Sequence, residues 1–450
     1  MNKVLNYMIK MNKKKYIKQF CSSLIVAGAV SVPTLAQSVS MAEIQQQSKV
    51  YSLDECIVEA VKNNLTLRNA DNQIAMSAEQ RKEAFTKYFP TVSATGGGFI
   101  SNQGLMQMEL APGQGMSLAK NGLVGGVTAM QPVFAGGQIV NGNKLAKVGE
   151  DVSRLQRNMS ENEVRLSAEQ YYWNIVMLKE KLHTLDQVEK QLVRVEADAQ
   201  AAVDAGIRNR NDLLQVQLRK NETRTSRIQV ENSLHTVCDL LAQMMGHTGE
   251  TIDVSSDATT APVEPQQYFL SPESALGQTN EYQLLDKQIE ANKLQYKLAV
   301  GKNLPSVAVG GGYLYNNVMD KSQSNLIGMF TVSVPISSWW GGSHDMKRQK
   351  LQVANSENEK RDKGELLMVK MRKAWNDMND AYKQVAIARE SIAQSEENLR
   401  LNTDYYQAGT ATMSDLLDAQ TLYQQSRDKY VESFTNYEVK KREYLQATGR

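Results

Sequence analysis

Apolar positions along this chain follow two rhythms: helical spacing over very long stretches and strand spacing over short ones. Val164, Ala168, Tyr171, Ile175, Leu178, Leu182, Leu185, Val188, Leu192, Val195, Ala199 and Ala202 recur three and four residues apart, with one irregularity around Leu185. Ala374, Met378, Ala381, Val385, Ala388, Ile392, Ser395, Leu399, Asn402 and Tyr406 alternate four and three without a break. A repeat of about 3.5 residues predicts left-handed coiled-coil packing. Small knobs such as Ala381 and Ala388 allow close approach, while Ser395 and Asn402 weaken or specialise that seam. No proline interrupts either stretch, so the spacing predicts long helices over 138–205 and 343–408. At about 1.5 Å per residue each spans roughly 100 Å, several times the width of a compact domain.

Strand spacing appears over 90–101, 123–134, 305–315 and 326–336. In the last of these Leu326, Gly328, Phe330, Val332, Val334 and Ile336 share one face, and Val307, Val309, Tyr313 and Tyr315 share a face of the third. The lengths suit the roughly 9–11 residues that cross a bilayer at a tilt. Tyr313, Tyr315, Phe330, Trp339 and Trp340 are candidate membrane-interface aromatics. Four strands cannot close a barrel, and open sheet edges are excluded from hydrocarbon. A membrane reading therefore requires an oligomer: two copies give eight strands with a filled interior, three give twelve with a lumen. The competing reading is a soluble sheet capping the helices.

The chain is also a duplication. Tyr88-Phe89-Pro90-Thr91-Val92-Ser93 before Gly96-Gly97-Gly98 recurs as Asn303-Leu304-Pro305-Ser306-Val307-Ala308 before Gly310-Gly311-Gly312, an offset of 215 between Pro90 and Pro305. From Pro132 to Pro335 the offset is 203, and it holds through Ala205-Gly206 with Ala408-Gly409 and Asp212-Leu213-Leu214 with Asp415-Leu416-Leu417. The surplus of the first half falls between Phe99 and Gly126, which predicts a solvent-exposed loop there, where insertions cost little. The first repeat is then 37–251 and the second 272–450, each a helix, two strands, a long helix and a shorter helix (211–246 and 414–448). Residues 252–271 form a linker at mid-height, with the segment from Gln37 to Val50 as its terminal counterpart. Lengths suggest that short helices stack in pairs beside each long one, 212–245 with 272–301 and the terminal helix with the first. Gly206 and Gly409 stand where a left-handed helix cap is wanted, and Asn209 to Asp212 and Thr412 to Asp415 have capping-box spacing.

Charge adds little: 51 Lys and Arg against 49 Asp and Glu give +2, which points to no nucleic-acid partner. Six lysines before an apolar stretch from Phe20 to Val30 and a small-residue site at Ala36 read as a secretory signal over 1–36. Its removal leaves 45 basic residues against the 49 acidic ones. Cys21 stands at the start of the apolar run rather than at its end, which disfavours a lipid anchor, and Cys56 and Cys238 lie in separate helices, too few for a disulfide framework. His183, His235, His247 and His344 are dispersed, without metal-ligand spacing, and the glycine runs lack the Lys-Ser/Thr of a phosphate loop. The 20 Met are scattered rather than clustered, which disfavours copper handling. No catalytic residue, cofactor or metal site is expected, and the chain does not read as an enzyme.

Taken together, Phe89-Pro90 and Leu304-Pro305 before each first strand, Pro132-Val133-Phe134-Ala135-Gly136-Gly137, and Ala408-Gly409 followed by Asp415-Leu416-Leu417-Asp418-Ala419-Gln420 resemble the TolC family of outer-membrane efflux channels over nearly the whole mature chain. Ser338-Trp339-Trp340 departs from the family's short connection before the glycines. The resemblance implies a homotrimer with a 12-stranded β-barrel in the outer membrane and a periplasmic coiled-coil barrel of helices. It implies a passive exit duct serving a tripartite efflux pump or type I secretion system, with a periplasmic adaptor and an inner-membrane transporter as partners. By position, Gly206, Asn209, Asp212, Gly409, Thr412 and Asp415 mark adaptor-docking tip turns; Asp198, eight residues before Gly206, and Asp404, five before Gly409, stand off the family's own acidic positions and are candidate tip-aperture carboxylates. The alternative is a non-conducting structural or adhesin-like envelope protein.

Overall fold

A computed structural model describes residues 49–450 except 103–105, 112–113, 119–120, 256–261, 319–320 and 337, with backbone alone at 106–111, 114–118, 318, 321 and 338–339. The leader inferred for residues 1–36 and the segment up to residue 48 lie outside the described residues.

Seven helices dominate the described chain: α1 (Leu53–Asn63), α2 (Leu65–Thr86), α3 (Gln138–Asp204), α4 (Arg210–Met245), α5 (Asn280–Lys302), α6 (Ser338–Gln407) and α7 (Met413–Ala447). The strands are β1 (Lys49–Tyr51), β2 (Thr91–Ile100), β3 (Met106–Ala111), β4 (Gln114–Leu118), β5 (Asn121–Ala135), β6 (Ile252–Val254), β7 (Ser306–Val318) and β8 (Lys321–Ser333). At 67 and 70 residues, α3 and α6 are each roughly 100 Å long.

Each long helix is covered in two storeys. Beside α3 lie α2 and α4 on one side and α5 and α7 on the other, and α5 and α7 also pack against α6. The stacking differs from the one that lengths suggest. The end of α4 abuts the first helical segment, where Asn63 Nδ2 donates to the Met245 carbonyl at 2.9 Å. The end of α7 meets the segment before α5, where the Arg450 guanidinium donates to the Tyr268 carbonyl at 2.7 Å. Helix lengths are compatible with either pairing, so only these end contacts decide it.

Both upper helices begin at a break that periodicity does not reveal. Asn64 leaves the helical region (ψ 129°), and its side chain accepts from the Thr66 amide at 2.8 Å, so the helix expected ahead of the first strand is two helices rather than one. Thr279 (ψ 137°) plays the same part for α5, its hydroxyl accepting from the Tyr282 amide. At mid-height β1 pairs in parallel with β6, tying the segment ahead of α1 to the segment between the repeats. Tyr172 Oη donates to the Ser255 carbonyl at 2.5 Å and Lys179 Nζ to Asp253 at 2.8 Å, fastening that ribbon to α3.

The main sheet is antiparallel in the order β2-β5-β7-β8, so the β5–β7 pairing joins the two repeats. The surplus in the first half is not a plain loop: β3 and β4 pair as a second hairpin, whereas only residues 319–320 separate β7 from β8. The fourth strand ends at Ser333 rather than at 336. The matched glycine pairs also do different work. Gly136 and Gly137 have φ of 60° and 75° and turn the chain into α3, while Gly341 and Gly342 lie inside α6, which starts at Ser338 rather than 343. A Cβ at Gly136 would collide with the Gly301 carbonyl at the end of α5, so that crossing requires glycine.

Candidate functional site: the helical tip and the sheet

At the ends of α3 and α6 the backbone makes the same turn twice. Gly206 (φ 72°) donates to the Val203 carbonyl and Ile207 to Ala202 at 2.9 Å; Gly409 (φ 78°) donates to Tyr406 and Thr410 to Tyr405 at 2.9 Å. This double bond pattern around a left-handed glycine satisfies the last carbonyls of each helix. The following caps differ. Thr412 and Asp415 form a full capping box, Asp415 accepting from the Thr412 amide at 2.9 Å. Those bonds hold the Asp415 carboxyl below the usual carboxylate range. Asn209 is an N-cap whose side chain makes no cap bond, so the matched spacing to Asp212 is not a capping box.

Packing beneath the turns draws on all four tip helices. Val188, Leu192 and Ala199 of α3, Leu213 and Val216 of α4, and Met413, Leu416 and Leu417 of α7 form one buried cluster, flanked by Leu399 and Tyr406 of α6. Arg208 joins the two turns: its guanidinium donates to the Tyr406 carbonyl at 3.0 Å and lies over the Tyr406 ring at 4.6 Å. Burial raises the Tyr406 phenol, Arg208 opposes this, and Asp212 and Asp198 add to it. Motif reading overlooked Arg208, although the offset of 203 sets it opposite Ala411, a mismatch visible in the aligned turns.

The two candidate aperture carboxylates are both exposed. Asp404 is held by Arg400 at 2.9 Å, and the same guanidinium binds Glu397 at 2.7 Å. Asp198 stands on α3, on the side of the tip that carries Tyr406.

At the other end the sheet exposes large apolar side chains: Val92 on β2, Leu123 and Val127 on β5, and Leu326, 86 % exposed, on β8. Tyr313 and Tyr315 lie toward the hairpin end of β7, while Phe330 pairs opposite Val309 nearer the helices. Trp340 is 74 % exposed in the first turn of α6; the Trp339 side chain lies outside the described residues. A further aromatic group lies just outside the predicted strands: Phe85, Tyr88 and Phe89, with ring centroids 5.5 and 5.7 Å apart, stand exposed where α2 gives way to β2. Phe134, also exposed, ends β5 at the same height as the start of β7.

Among the described residues no helix is long and apolar enough to cross a membrane, and no cluster of His, Cys, Asp and Glu is arranged to hold a metal. Cys56 and Cys238 are free, with burial pushing their thiols up to about 12 and about 11. Such thiols carry little thiolate at neutral pH and are poor nucleophiles.

Solved structures share this architecture. CusC superposes with a TM-score of 0.78 at 15 % identity, covering 94 % of this chain and 99 % of that one. The Campylobacter jejuni CmeC outer membrane channel gives 0.73 at 15 % identity over 94 % of both chains. The open state of the Neisseria gonorrhoeae MtrE outer membrane channel gives 0.69 at 15 % identity over 88 % of both. No curated protein matches the chain by sequence. The sequence profile described as outer membrane efflux protein matches residues 56–247 and 272–450, both repeats almost entire. The duplicated helix-and-strand unit, the antiparallel sheet it shares and the paired glycine turns thus have one common source: the chain belongs to the outer membrane efflux protein family.

Proposed function

We propose that three copies of the chain close their sheets into a twelve-stranded barrel in the outer membrane and extend their helices as a periplasmic tunnel. The observation that supports this most is the sheet itself. β2 and β8 are edge strands with unpaired outer backbones, and the sheet exposes Val92, Leu123, Val127, Leu326 and Phe330. An open edge cannot sit in hydrocarbon, where each unmet N–H or C=O costs several kcal/mol. Joining β8 of one copy to β2 of the next removes every edge, and twelve strands leave a lumen where eight would fill. Phe85, Phe89, Phe134, Phe330 and Trp340 then form the belt at the periplasmic face of the bilayer, with Tyr313 and Tyr315 nearer the outer face.

In this reading the duct is passive and serves a tripartite pump or a type I secretion system. A periplasmic adaptor tied to an inner-membrane transporter docks on the turns Gly206–Asp212 and Gly409–Asp415. Asp198 and Asp404 border the aperture, and the Arg208–Tyr406 contact holds the two hairpins of one copy together there. Adaptor binding opens the tip by favouring an arrangement in which that contact is broken. Planar-bilayer recording from the purified oligomer tests the reading. Discrete conductance from a particle of three-chain mass is expected; a trimer that never conducts, even with Arg208→Ala, returns the chain to the structural, non-conducting alternative.

A further inference from the structure

Helix α3 has two long seams that differ in kind. Toward α4 its carboxylates are fully met: Glu189 accepts from Arg224 at 3.1 Å and Arg227 at 2.9 Å, and Glu196 from Lys220 at 2.5 Å. Toward α7 the seam is apolar at the tip and again at Trp173, whose ring meets Phe434 edge-on at 5.8 Å. Between these points it is polar: Gln191 with Gln420 at 3.1 Å, Gln187 with Arg427 at 3.0 Å and Lys181 with Glu432 at 2.7 Å. Above Trp173, Glu169 faces Arg442 at 3.4 Å.

This seam is also poorly satisfied. Trp173 Nε1 on α3 and Asp428 Oδ1, Ser433 Oγ and Gln446 Oε1 on α7 are buried without a hydrogen-bond partner. Asp428 faces Lys181, Arg427 and Glu432, but Lys181 is already held by Glu432 and Arg427 by Gln187. From α4, Arg219 reaches Gln424 rather than Asp428, and Glu180 of α3 and Glu396 of α6 line the groove beside Arg427. Glu169, 8 % exposed, faces Arg165, Glu438, Lys441 and Arg442, with Lys441 bound to Glu438.

We propose that the α3–α7 seam is a proton-operated joint, loose while Asp428 and Glu169 are ionised and tightened when they take up protons. A carboxylate buried with incomplete partners opposes packing; a proton removes its repulsion from Glu432 or Glu438 and adds a donor. Burial pushes Asp428 up to about 6, with Glu432 adding to the rise and Lys181, a Gln424 bond and Arg427 opposing it. Burial likewise raises Glu169, against Arg442 and Lys441. A carboxyl raised in the folded chain binds protons before the unfolded chain does. Stability therefore grows as pH falls from above about 6 toward the ordinary carboxylate value of about 4. The well-paired carboxylates of the α3–α4 seam stay ionised over that range.

The joint's bearing on conduction rests on the channel reading above; its bearing on packing does not. Thermal unfolding of the full-length oligomer in detergent and its bilayer conductance are measured at about pH 7.5 and 5.5. Acid is expected to raise the melting temperature and lower the conductance several-fold. Asp428→Asn is expected to melt higher than the native chain at pH 7.5 and to lose most of both responses. Should that variant fail to assemble, Glu169→Gln carries the same expectation with a smaller change. A variant that assembles and keeps the full native pH response overturns the joint. A melting response without conductance at either pH leaves the joint standing and removes the channel reading instead.

Discussion

The α3–α4 and α6–α7 hairpins descend from one repeated unit, turn on equivalent glycines and share an apolar spacing, yet they are held together by different chemistry. Between α6 and α7 the contact is apolar and aromatic. Met378, Ala381 and Val385 pack on Tyr437 and Tyr444, with Tyr382 against Tyr437 at 5.7 Å and Trp375 against Tyr444 at 5.2 Å. Among the described residues no ion pair joins these two helices. Between α3 and α4 an apolar base at Leu192 and Val216 is overlaid by a lattice in which Arg227 touches Asp186, Glu189 and Glu231. Spacing fixes the supercoil while leaving the glue free to change, because coiled-coil geometry depends on where knobs fall rather than on what lines their flanks.

Removing a buried knob should hurt either hairpin most. Met378 and Leu192 are both fully buried, so Met378→Ala and Leu192→Ala should each cost about 2–5 kcal/mol of stability, read by thermal or urea unfolding. A cost below about 1 kcal/mol for Met378→Ala would show that the α6–α7 contact does not rest on its apolar seam.

The tip separates the hairpins more sharply, since only the first turn carries an arginine that reaches the second. Arg208→Ala removes one hydrogen bond to a carbonyl and one cation–π contact, about 1–2 kcal/mol together. Bilayer conductance should rise accordingly. Ala411→Arg, on the turn where the contact has no counterpart, should leave conductance near the native level; an equal rise in both variants would mean that any change at the tip opens it.

Caps give a smaller contrast. Thr412→Ala deletes the hydroxyl of a formed capping box and should cost about 1 kcal/mol, whereas Asn209→Ala deletes a side chain that bonds nothing there and should cost a few tenths. Matched losses in unfolding experiments would imply that Asn209 caps α4 in solution.

The differences between the repeats were also where sequence reasoning stopped. Long helices are legible in the spacing of Val164 to Ala202 because a 67-residue run without proline admits few other conformations. Breaks at Asn64 and Thr279 are not, since each is a single residue whose side chain caps the next helix while its neighbours keep helical composition. Gly341-Gly342 looks like Gly136-Gly137 in sequence, but only the latter stands at positive φ, a property of the crossing it makes with Gly301. At the tip the glycines and Thr412 are legible as turn chemistry; Arg208 is legible only as a mismatch with Ala411, and its bond is not, because the partner lies 198 residues away. Asp428 and Glu169 carry no sequence signal of their own; only α7 laid against α3 encloses them.

Acid sharpens the comparison by the smallest margin. Arg224 holds the Glu189 carboxyl below its ordinary range, with Arg227 adding to the effect, and Lys220 does the same for Glu196. A depressed carboxyl contributes stability above its unfolded value of about 4.3 and loses it as pH falls through the lower folded value. The α3–α4 lattice should therefore weaken only below about pH 4.5. Its arginines stand partly in solvent, so screening holds the loss to a few tenths of a kcal/mol per pair, and added salt should shrink it further. Glu189→Gln and Glu196→Gln, followed by unfolding from about pH 6 to 3, should flatten that acid limb and leave the interval from 7.5 to 5.5 as it is in the native chain. The α6–α7 seam, with no ion pair of its own among the described residues, supplies the control: Met378→Ala should lower stability by the same amount at every pH in the series. An acid limb that survives both glutamine substitutions would assign it elsewhere than to the lattice that distinguishes the first hairpin from the second.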